Sequence, residues 1–393
     1  MSNPIVIVGA ARTPMGGFQG ELAGASASDL GGVAIKAALE RAGVAPDEVS
    51  EVLMGNVLMA GQGQAPARQA SFAAGLPKDV PCTTLNKMCG SGMKTAMVAH
   101  DQLLAGTGRI VVAGGMESMT NAPYLLPKMR SGARLGHAEA KDHMFLDGLE
   151  DAYDKGRLMG TFAEDCAERY QFTREAQDAY AIASLEAALA AQKDGTFDAE
   201  VAPVTIESRS GPVTVATDEQ PRKAKPEKIP HLKPAFRKDG TVTPANSSSI
   251  SDGAAALILM RDSEAGKRGL PIRARILGHA SHAQEPGWFT TAPVPAIRKL
   301  MECHGWSVDD IDLWEVNEAF AVVPMAAMAE LGIPRERLNV NGGACALGHP
   351  IGASGARIIV TLLHAMEARG AKRGIASLCI GGGEGTAVAI ERV

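Results

Sequence analysis

The sequence predicts an α/β protein made of two similar halves, with helices covering both faces of its sheets. Residues 5–8 and 109–113 are continuous runs rich in β-branched side chains, which is typical of strands buried on both faces. A helical pattern at residues 28–42 lies between these strands. Strands that alternate with helices in this way favour a layered α/β architecture.

The first helix is predicted from the spacing of its apolar residues and from the glycine that follows it. The apolar positions recur at helical intervals, at Leu30, Val33, Ala34, Ala37 and Ala38. Gly43 follows the pattern directly, and glycine is the preferred residue for the left-handed conformation that closes a helix. We therefore expect this helix to end at Ala42.

The chain repeats one pattern: a Ser-Gly pair, a helix, a buried strand and a glycine-rich segment. In the first copy 23 residues separate Ser91 from Gly114, and in the second copy 27 separate Ser354 from Gly381. A loop can absorb this difference. Two further segments share a short strand pattern that ends in asparagine, at residues 52–56 and 313–317. Glycine-rich turns recur by chance in many α/β folds, but two homologous halves packed together explain the combined pattern better.

The segment between the halves, from residue 118 to about residue 250, differs in character from the rest of the chain. It contains one long predicted helix at residues 173–194, which begins with the capping residue Thr173. Residues 130–141 and 223–238 are charged and read as exposed loops. An insertion of this size is commonly a lid or a subunit contact.

Composition and charge exclude several classes of protein. The 393 residues include 39 Lys and Arg against 44 Asp and Glu, a net charge of −5, whereas nucleic-acid binding requires a basic excess. No apolar run is long enough to span a membrane, and the first residues lack the basic segment of a signal peptide. The six cysteines form no C-x-x-C pair and indicate reduced thiols. We therefore expect a cytoplasmic protein with neither nucleic acid nor a membrane as a partner.

Cys89 is the predicted nucleophile. It lies directly before a helical run, where the helix dipole and free N–H groups favour a thiolate. Gly90 and Gly92 permit a sharp backbone entry and the close approach of a ligand. A small buried structural cysteine is the alternative, but the flanking glycines and the position in the repeat favour a reactive thiol.

His349 is the predicted partner of Cys89. Pro350 keeps it out of the helical conformation, so the imidazole stands on a loop before the helix of the second copy. If the halves pack about a pseudo-twofold axis, His349 faces Cys89, and a Cys-His pair is the minimum for an activated thiol. A zinc site through Cys345 and His349 would need two further ligands nearby, so we expect no metal.

Two further polar positions follow predicted strands. Cys379 ends the last buried strand, and the N–H groups of the glycines that follow it, 381–383, can form an oxyanion hole. This glycine run lacks the G-x-G-x-x-G spacing and the distant acidic residue of a dinucleotide site. Asn317 lies between a strand and a helix, where it either caps the helix or points into the cleft between the halves.

Four motifs taken together resemble the thiolase family, at residues 86–92, 317–320, 348–352 and 379–383. Their order and spacing cover essentially the whole chain. The resemblance implies the thiolase fold, in which two βαβαβαββ halves form a five-layered α/β/α/β/α sandwich with an inserted loop domain. The implied domains are the N-terminal half at 1–118 and 251–270, a loop domain for coenzyme A binding and tetramer contacts at 119–250, and the C-terminal half at 271–393.

The resemblance implies a role for each motif residue. Cys89 matches the nucleophile that becomes acetylated, and His349 matches the base that takes its proton. Cys379 matches the acid that protonates the departing acetyl-CoA carbanion, or removes its α-proton in the synthetic direction. Asn317 matches the residue that holds a water, which with His349 forms the oxyanion hole for the enolate. The N–H groups of Cys89 and Gly381 match a second hole, used by the acyl-enzyme intermediate.

Coenzyme A thioesters are the implied substrates, and no permanently bound cofactor is implied. The positions similar to the family's coenzyme A and acyl contacts are Arg222, Ser248, Leu149, Met159, Phe236, Ala319 and Phe320. Residues 130–147 are similar to the tetramerisation loop of short-chain acetyl-CoA acetyltransferases, which implies a homotetramer. The implied reaction is the reversible, ping-pong condensation of two acetyl-CoA to acetoacetyl-CoA and CoA.

Two positions depart from this subfamily. Leu158 stands where a histidine is usual, and Phe289 stands where a methionine is usual, so the acyl chain length is in question. A degradative 3-ketoacyl-CoA thiolase of broader chain length is therefore an alternative. A decarboxylating ketoacyl synthase of the same fold generally lacks a second catalytic cysteine, so Cys379 argues against it. A non-catalytic acyl-CoA or lipid carrier of thiolase shape would tolerate the loss of Cys89 or His349, and this chain keeps both.

Overall fold

The computed structural model describes residues 3–207 and 211–393. Within these residues the strands are β1 (Ile5–Arg12), β2 (Gly16–Gly17), β3 (Glu51–Gly55), β4 (Cys82–Leu85), β5 (Ile110–Ser118), β6 (Tyr124–Leu125), β7 (Lys141–Asp142), β8 (Val204–Ile206), β9 (Val213–Val215), β10 (Ser251–Arg261), β11 (Ala274–Ala283), β12 (Leu313–Val316), β13 (Arg373–Ile380) and β14 (Glu384–Arg392). The helices are α1 (Ala27–Ala42), α2 (Pro66–Ala73), α3 (Ser91–Ala105), α4 (Met159–Tyr170), α5 (Arg174–Lys193), α6 (Glu219–Lys223), α7 (Asp262–Arg268), α8 (Pro293–His304), α9 (Val322–Leu331), α10 (Ala344–Leu347) and α11 (Ile351–Arg369).

The strands of the two halves follow the same order. In the N-terminal half the order is β4-β3-β5-β10-β1, and in the C-terminal half it is β12-β13-β14-β11, with Leu338 bridging to the outer edge of β12. We number the extended segments of each half along the chain, leaving out the short β2 and counting the segment of Leu338 as the third of the C-terminal half. In both halves the order across the sheet is then third, second, fourth, fifth and first. The edge strands β1 and β11 pair over two residues, which joins the halves. The predicted duplication is confirmed.

The helices complete five layers. Helices α1 and α2 cover the outer face of the N-terminal sheet, and α8 and α9 cover the outer face of the C-terminal sheet. Helices α3 and α11 pack against each other between the two sheets. Residues 351–366 of α11 are buried on every side, which is the expected state of a helix in a central layer.

The first predicted elements form as expected. Helix α1 ends at Ala42, and Gly43 closes it in the left-handed conformation with φ 66°. Its first turn is capped by Ser26, whose side chain accepts a hydrogen bond from the N–H of Asp29. Strand β1 is buried along its whole length, in agreement with its continuous apolar sequence.

Gly114 and Gly115 do not form the turn that the repeat suggested, because β5 continues through them to Ser118. A Cβ at Gly115 would lie 2.1 Å from the carbonyl oxygen of Gly352 in α11. Gly115 is therefore needed for the close approach of a helix to the sheet rather than for a turn.

The structure also corrects the alignment of the two copies. Gly55 pairs with Gly115 between β3 and β5, and Val316 pairs with Ser377 between β12 and β13. Asn56 directly follows β3, and Asn317 directly follows β12. Two residues after Gly115 in β5 lies Glu117, and two residues after Ser377 in β13 lies Cys379. The glycine runs had placed Glu117 opposite Glu384. Glu117 therefore occupies the position in the N-terminal half that Cys379 occupies in the C-terminal half.

The segment between β5 and β10 contains the predicted long helix. Helix α5 runs from Arg174 to Lys193, and the side chain of Thr173 accepts a hydrogen bond from the N–H of Ala176 at its start. Most of residues 128–141 are exposed, as expected for a loop. Within the described residues, every helix is too short or too polar to cross a membrane.

Candidate active site

The predicted motifs meet where the two halves touch, at the ends of strands and the start of the central helices. A Cβ at Gly90 would lie 2.4 Å from Cδ1 of Ile380, so the segment before α3 rests on the end of β13. A Cβ at Gly92 would lie 2.8 Å from the backbone nitrogen of Ala356, so the backbones of α3 and α11 are in contact. The side chain of Cys89 enters this junction.

A tight turn presents Cys89 to the junction. Met88 has φ 46°, a left-handed conformation that is uncommon for a residue with a side chain. The side chain of Asn86 accepts from the N–H of Met88 at 2.9 Å, and the hydroxyl of Ser91 donates to the carbonyl of Met88 at 2.7 Å. These two side chains hold the turn in its strained form.

The Cys89 thiol is protonated in the resting protein. Burial raises its pKa to about 11, and the charge of Glu117 adds to the rise, while the backbone N–H groups of Gly381 and of Cys89 itself oppose it. The expected thiolate at a helix N-terminus is therefore wrong, because desolvation outweighs the dipole. The contact with the N–H of Gly381 brings these two predicted residues together across the halves.

Cys379 lies within the same cluster of thiols and is fully buried. Burial raises its pKa well above the ordinary value, and the neighbouring Cys89 and Cys166 raise it further. Cys379 therefore carries its proton at neutral pH, which suits an acid better than a resting base. The glycine turn after it, with Gly382 at φ 93° and Gly383 at φ 86°, requires residues without a side chain.

His349 is buried and neutral. Its Nδ1 lies 2.6 Å from Oγ of Ser354, and that hydroxyl donates to the carbonyl of Pro350 at 3.0 Å. Because the hydroxyl has one hydrogen, Nδ1 carries the ring proton and donates it to Ser354, which leaves the lone pair on Nε2. Nε2 is buried and has no hydrogen-bond partner among the described residues. Burial, with a smaller effect of Arg357, lowers the pKa of His349 to about 3.

Asn317 is held by a buried ion pair that the sequence analysis missed. Arg357 donates to Oδ1 of Asn317 at 3.3 Å and to Glu315 at 2.9 Å, and all three side chains are buried. Burial raises the pKa of Glu315 to about 8, although the charge of Arg357 opposes this. With its oxygen fixed, Asn317 has its amide nitrogen 3.5 Å from Nδ1 of His349, which is longer than an ordinary hydrogen bond, so Nδ1 keeps its bond to Ser354. The sequence feature that could have indicated this ion pair is an arginine within the apolar helix α11.

Glu117 is a second residue that sequence reasoning did not assign. Its buried carboxylate accepts from the side chain of Asn56 at 2.7 Å and from the N–H groups of Val57, Leu58 and Gly352 at 3.0, 3.1 and 2.9 Å. Burial raises its pKa to about 7 against these four donors. The carboxylate thereby ties the N-terminal half to the first turn of α11.

A third unassigned contact is an ion pair across the halves. Nζ of Lys87, two residues before Cys89, contacts the carboxylate of Glu384, which directly follows the glycine turn 381–383. Both side chains are partly exposed. The pair joins the segment that carries the nucleophile to the turn that carries the N–H of Gly381.

The predicted acyl contacts fall in two apolar clusters, one with Cys379 and the other with Cys89. Phe320 lies against Phe236 and Phe289, with ring centroids 6.0 and 6.4 Å apart. Met159 packs on the same apolar cluster as Cys379, and its sulfur is 3.8 Å from a Cβ built on Gly381. Leu149 packs in a separate cluster that includes Met88 and Cys89.

The predicted coenzyme A contacts lie further out. Ser248 donates its N–H and its hydroxyl to the carbonyl of Ala319 at 3.0 and 2.9 Å. Arg222 pairs with Glu21 at 2.6 Å. A cavity of about 360 Å³ lies beside it, and its lining includes Lys223, Lys225 and Lys228. A pocket of this size with several cationic side chains is suited to a phosphorylated ligand.

The Cys345–His349 pair is not arranged as a metal site. The Cys345 thiol is 3.7 Å from the carbonyl oxygen of Glu318, and its N–H donates to the Glu318 carboxylate at 3.1 Å. The ring of His349 is turned towards Ser354 instead.

Comparisons with known proteins identify the family. The family model described as "Thiolase, N-terminal domain" matches residues 5–263, and "Thiolase, C-terminal domain" matches residues 270–392. The chain is 52% identical over 390 residues to an acetyl-CoA acetyltransferase of Cupriavidus necator, with 99% of each chain covered. It is 43% identical to a thiolase of Ascaris suum solved in complex with coenzyme A, with a TM-score of 0.94 and 99% and 100% of the two chains covered. It is also 43% identical to an acetyl-CoA acetyltransferase of Bacillus anthracis, with a TM-score of 0.97 and 100% and 99% covered. The chain therefore belongs to the thiolase family.

Proposed function

We propose that the protein is an acetyl-CoA C-acetyltransferase. It catalyses the reversible condensation of two acetyl-CoA to acetoacetyl-CoA and CoA through an acetyl group on Cys89. Two observations carry the proposal. The Cys89 thiol contacts the N–H of Gly381 beside the protonated thiol of Cys379. His349, whose Nε2 has no partner among the described residues, lies two residues before Ile351, which packs in the same cluster as Cys89. The names of relatives about 50% identical over the whole chain support the same activity.

Cleavage of acetoacetyl-CoA begins with attack by Cys89. The sulfur bonds to the keto carbon while the thiol proton moves to Nε2 of His349. Because both groups are neutral at rest, the proton moves as the carbon–sulfur bond forms and no thiolate is prepared beforehand. The N–H groups of Cys89 and Gly381 stabilise the negative oxygen that results.

The carbon–carbon bond then breaks and releases the enolate of acetyl-CoA. Cys379 gives its proton to the enolate carbon, and acetyl-CoA departs. Asn317, through a water that it holds, and His349 are assigned to stabilise the enolate oxygen. The protein is left with an acetyl group on Cys89, a thiolate at Cys379 and a proton on His349.

CoA completes the cycle. Its thiol gives its proton to Cys379 and its sulfur attacks the acetyl carbon, so that Cys89 leaves and takes the proton back from His349. All groups return to their neutral state, and the reverse sequence is the condensation. The acyl group rests on the protein between two substrates, which makes the kinetics ping-pong.

Coenzyme A binding is assigned to the inserted segment. Its phosphates lie near the cavity lined by Lys223, Lys225 and Lys228, with Arg222 at its side and Ser248 nearer to the active site. The support is the cluster of cations around a pocket beside the junction and the coenzyme A that the Ascaris suum thiolase was solved with. No cofactor beyond the substrate is part of the proposal.

The exposed loop supports the proposed homotetramer. Within residues 130–147, Leu135 is 97% exposed and Phe145 and Leu146 are each 37% exposed. Directly before this segment, Tyr124, Leu126 and Met129 are at least half exposed. Such side chains on a loop are typical of a contact with another chain. We assign residues 130–147 to a contact between copies of this chain, and we retain the four-segment domain division as part of the proposal.

Mass spectrometry tests the proposed reaction. Incubation with acetyl-CoA followed by digestion is expected to place an acetyl group on the peptide that contains Cys89. Cys89→Ala is expected to lose at least about 10³-fold in thiolysis of acetoacetyl-CoA, because covalent catalysis is lost. Cys303→Ala, which removes an exposed thiol, is the matched control.

Two alternative functions remain distinguishable. A broader-chain degradative thiolase would also form acetyl-Cys89 but would cleave 3-ketooctanoyl-CoA as well as acetoacetyl-CoA. A non-catalytic carrier of acyl-CoA or lipid would bind acetyl-CoA without acetylation. An acetyl group found on Cys379 would contradict the roles given to the two thiols.

A further inference from the structure

Two imidazoles and one carboxylate come together outside the active site. His100 and Asp101 lie in the third turn of α3, and His279 lies in β11. Oδ1 of Asp101 is 2.9 Å from Nε2 of His279 and 3.3 Å from Nδ1 of His100. One ligand atom from each of the three residues lies within 4.8 Å of the others.

The convergence on α3 is unusual for neighbouring helical residues. Consecutive residues of an α-helix project about 100° apart, so their side chains do not ordinarily face each other. His100 and Asp101 nevertheless turn towards one point, and that point is where the ring of His279 arrives from the other half. The rings of the two histidines are perpendicular, with centroids 5.2 Å apart.

The chemistry and exposure of the cluster suit a transition-metal ion. Two imidazole nitrogens and one carboxylate oxygen form a ligand set found for zinc. Zinc lies about 2.0–2.1 Å from such atoms, so ligand atoms of a tetrahedral site are about 3–3.5 Å apart. The two measured distances already approach this value. The Asp101 side chain is 59% exposed, which leaves room for water as a further ligand, while His100 and His279 are 11% and 18% exposed and held by rigid elements.

We propose that His100, Asp101 and His279 form a binding site for a divalent transition metal of the zinc class. The ion would join α3, which begins at the nucleophile, to β11, the first strand of the C-terminal half. The sequence did not predict this site, because His279 is far from the other two ligands in the chain. The site is separate from the proposed reaction and would stabilise the contact between the halves.

Metal titration of the full-length protein tests the site. Protein dialysed against a chelator is titrated with Co²⁺, whose visible absorption reports tetrahedral coordination, and then with Zn²⁺ as a competitor. We expect saturable binding of about one ion per chain and a rise in melting temperature with metal concentration. Because cysteine thiolates in general are also zinc ligands, the titration is repeated in Cys89→Ala, where binding is expected to persist.

Variants with intact folds decide the outcome. His279→Gln and Asp101→Asn are expected to weaken metal binding by about tenfold or more, since each removes one of three ligands. His282→Gln, on the same strand, is the matched control and is expected to bind as tightly as the unmodified protein. Binding that is absent at saturating Co²⁺, or that is unchanged in His279→Gln, would overturn the proposal and leave the cluster as a hydrogen-bonded contact.

Discussion

The two halves of the molecule present the same four positions at their junction, but the proposed reaction uses only one set. On one side the positions are occupied by Cys89, Asn317, His349 and Cys379. On the opposite side, strand pairing places Asn56 and Glu117 at the positions of Asn317 and Cys379. The pairing of Ser91 with Ser354 in the repeat places Gly352 and Asn86 at the positions of Cys89 and His349. The nucleophile corresponds to a glycine, and the second thiol corresponds to a carboxylate.

The opposite side is filled by its own carboxylate. Glu117 bonds to the N–H of Gly352, and a Cβ at Gly352 would lie 2.6 Å from the Glu117 oxygen. No side chain fits at this position unless the carboxylate moves. On the reactive side the N–H groups of Gly381 and Cys89 instead face the Cys89 sulfur.

This difference shows how a duplicated scaffold restricts chemistry to one place. Both sides offer backbone N–H groups at the start of a central helix, which is a general site for negative charge. On the opposite side a fixed internal anion occupies that site. On the reactive side the groups around the N–H donors are neutral. These donors can therefore stabilise the negative charge that develops on a reaction intermediate.

The largest expected effect comes from removing the second thiol of the reactive side. Cys379→Ala is expected to be acetylated by acetyl-CoA but to lose about 10²–10⁴-fold in turnover, because it lacks the acid that protonates the enolate. The measurement is acetyl incorporation by mass spectrometry together with steady-state thiolysis.

The matched control is Cys166→Ala, a neighbouring buried thiol that has no role in the proposed reaction. This variant is expected to retain turnover. If Cys379→Ala exchanges the α-protons of acetyl-CoA at the normal rate, Cys379 is not the acid, and the asymmetry between the thiol and Glu117 has no catalytic meaning.

The second prediction concerns the carboxylate on the unreactive side. Glu117→Gln keeps the size of the side chain but turns an amide nitrogen towards two of four N–H donors. Leaving two buried donors unpaired is expected to lower the free energy of unfolding by about 2–4 kcal/mol, measured by urea denaturation. Glu336→Gln, at an exposed glutamate, is expected to have no effect.

The same variant gives a second readout at the reactive side. Because the charge of Glu117 contributes to the raised pKa of Cys89, its removal is expected to lower that pKa. Alkylation of Cys89 by iodoacetamide at pH 8 should then be faster in Glu117→Gln, since more thiolate is present. In both proteins the rate should rise about tenfold per pH unit up to pH 10, because the pKa is about 11. Equal stability would show that the carboxylate does not hold the unreactive side.

The halves and the candidate reactive residues could be predicted from the sequence because both depend on local signals. Continuous apolar strands, helix caps and glycine turns are visible in short windows, and the motifs around Cys89 and His349 are contiguous. The roles of Arg357 and Glu117 were not predictable in this way, because each depends on contacts between residues distant in the chain. The direction of the Cys89 pKa shift was wrong for a similar reason, since the burial that dominates it comes from packing of the halves.

The alignment of the copies failed where glycine has two uses. Gly115 admits a helix against a strand, whereas Gly382 and Gly383 form a turn with positive φ. Composition alone makes these segments similar. Strand pairing was needed to place Glu117 opposite Cys379.

The third prediction asks whether the reactive side also selects the acyl chain. Phe289 is 3% exposed, and its ring is fixed by Phe162 and Phe320 at centroid distances of 6.3 and 6.4 Å. A longer acyl chain has to displace this ring, at a cost of about 1–3 kcal/mol, against a gain of about 0.8 kcal/mol per buried methylene. We expect kcat/KM for acetoacetyl-CoA to exceed that for 3-ketooctanoyl-CoA by about tenfold or more.

Phe289→Leu is the variant that tests this without a large cavity. It is expected to reduce the preference for the short substrate while keeping acetylation of Cys89. Leu158→His, which introduces the histidine that is usual at this position in the subfamily, is the comparison variant. Equal kcat/KM values in the unmodified protein would assign it to the broader-chain thiolases.

The smallest expected effect belongs to the ion pair that spans the reactive side. Lys87 and Glu384 are partly exposed, and such pairs contribute about 0–1 kcal/mol to stability. Their location gives them a different role, because they join the turn of Cys89 to the turn of Gly381 and so position the N–H of Gly381 at the thiol. The unreactive side has its own link between the halves, the buried carboxylate of Glu117. We therefore infer that Lys87 and Glu384 are positioning residues.

Lys87→Met and Glu384→Gln are each expected to lower kcat about threefold, with little change in KM for acetoacetyl-CoA or in the free energy of unfolding. Because the effect depends on the pair, the double variant should lose no more than either single variant. The charge-swapped double variant, which combines Lys87→Glu with Glu384→Lys, should restore part of kcat. High salt should reduce the difference in kcat between proteins with and without the ion pair. Lys141→Met breaks another exposed pair, with Glu139, and is the matched control. Losses that simply add in the double variant would show that the two residues act independently, and the link across the reactive side would then come from backbone packing at Gly90 and Gly92 alone.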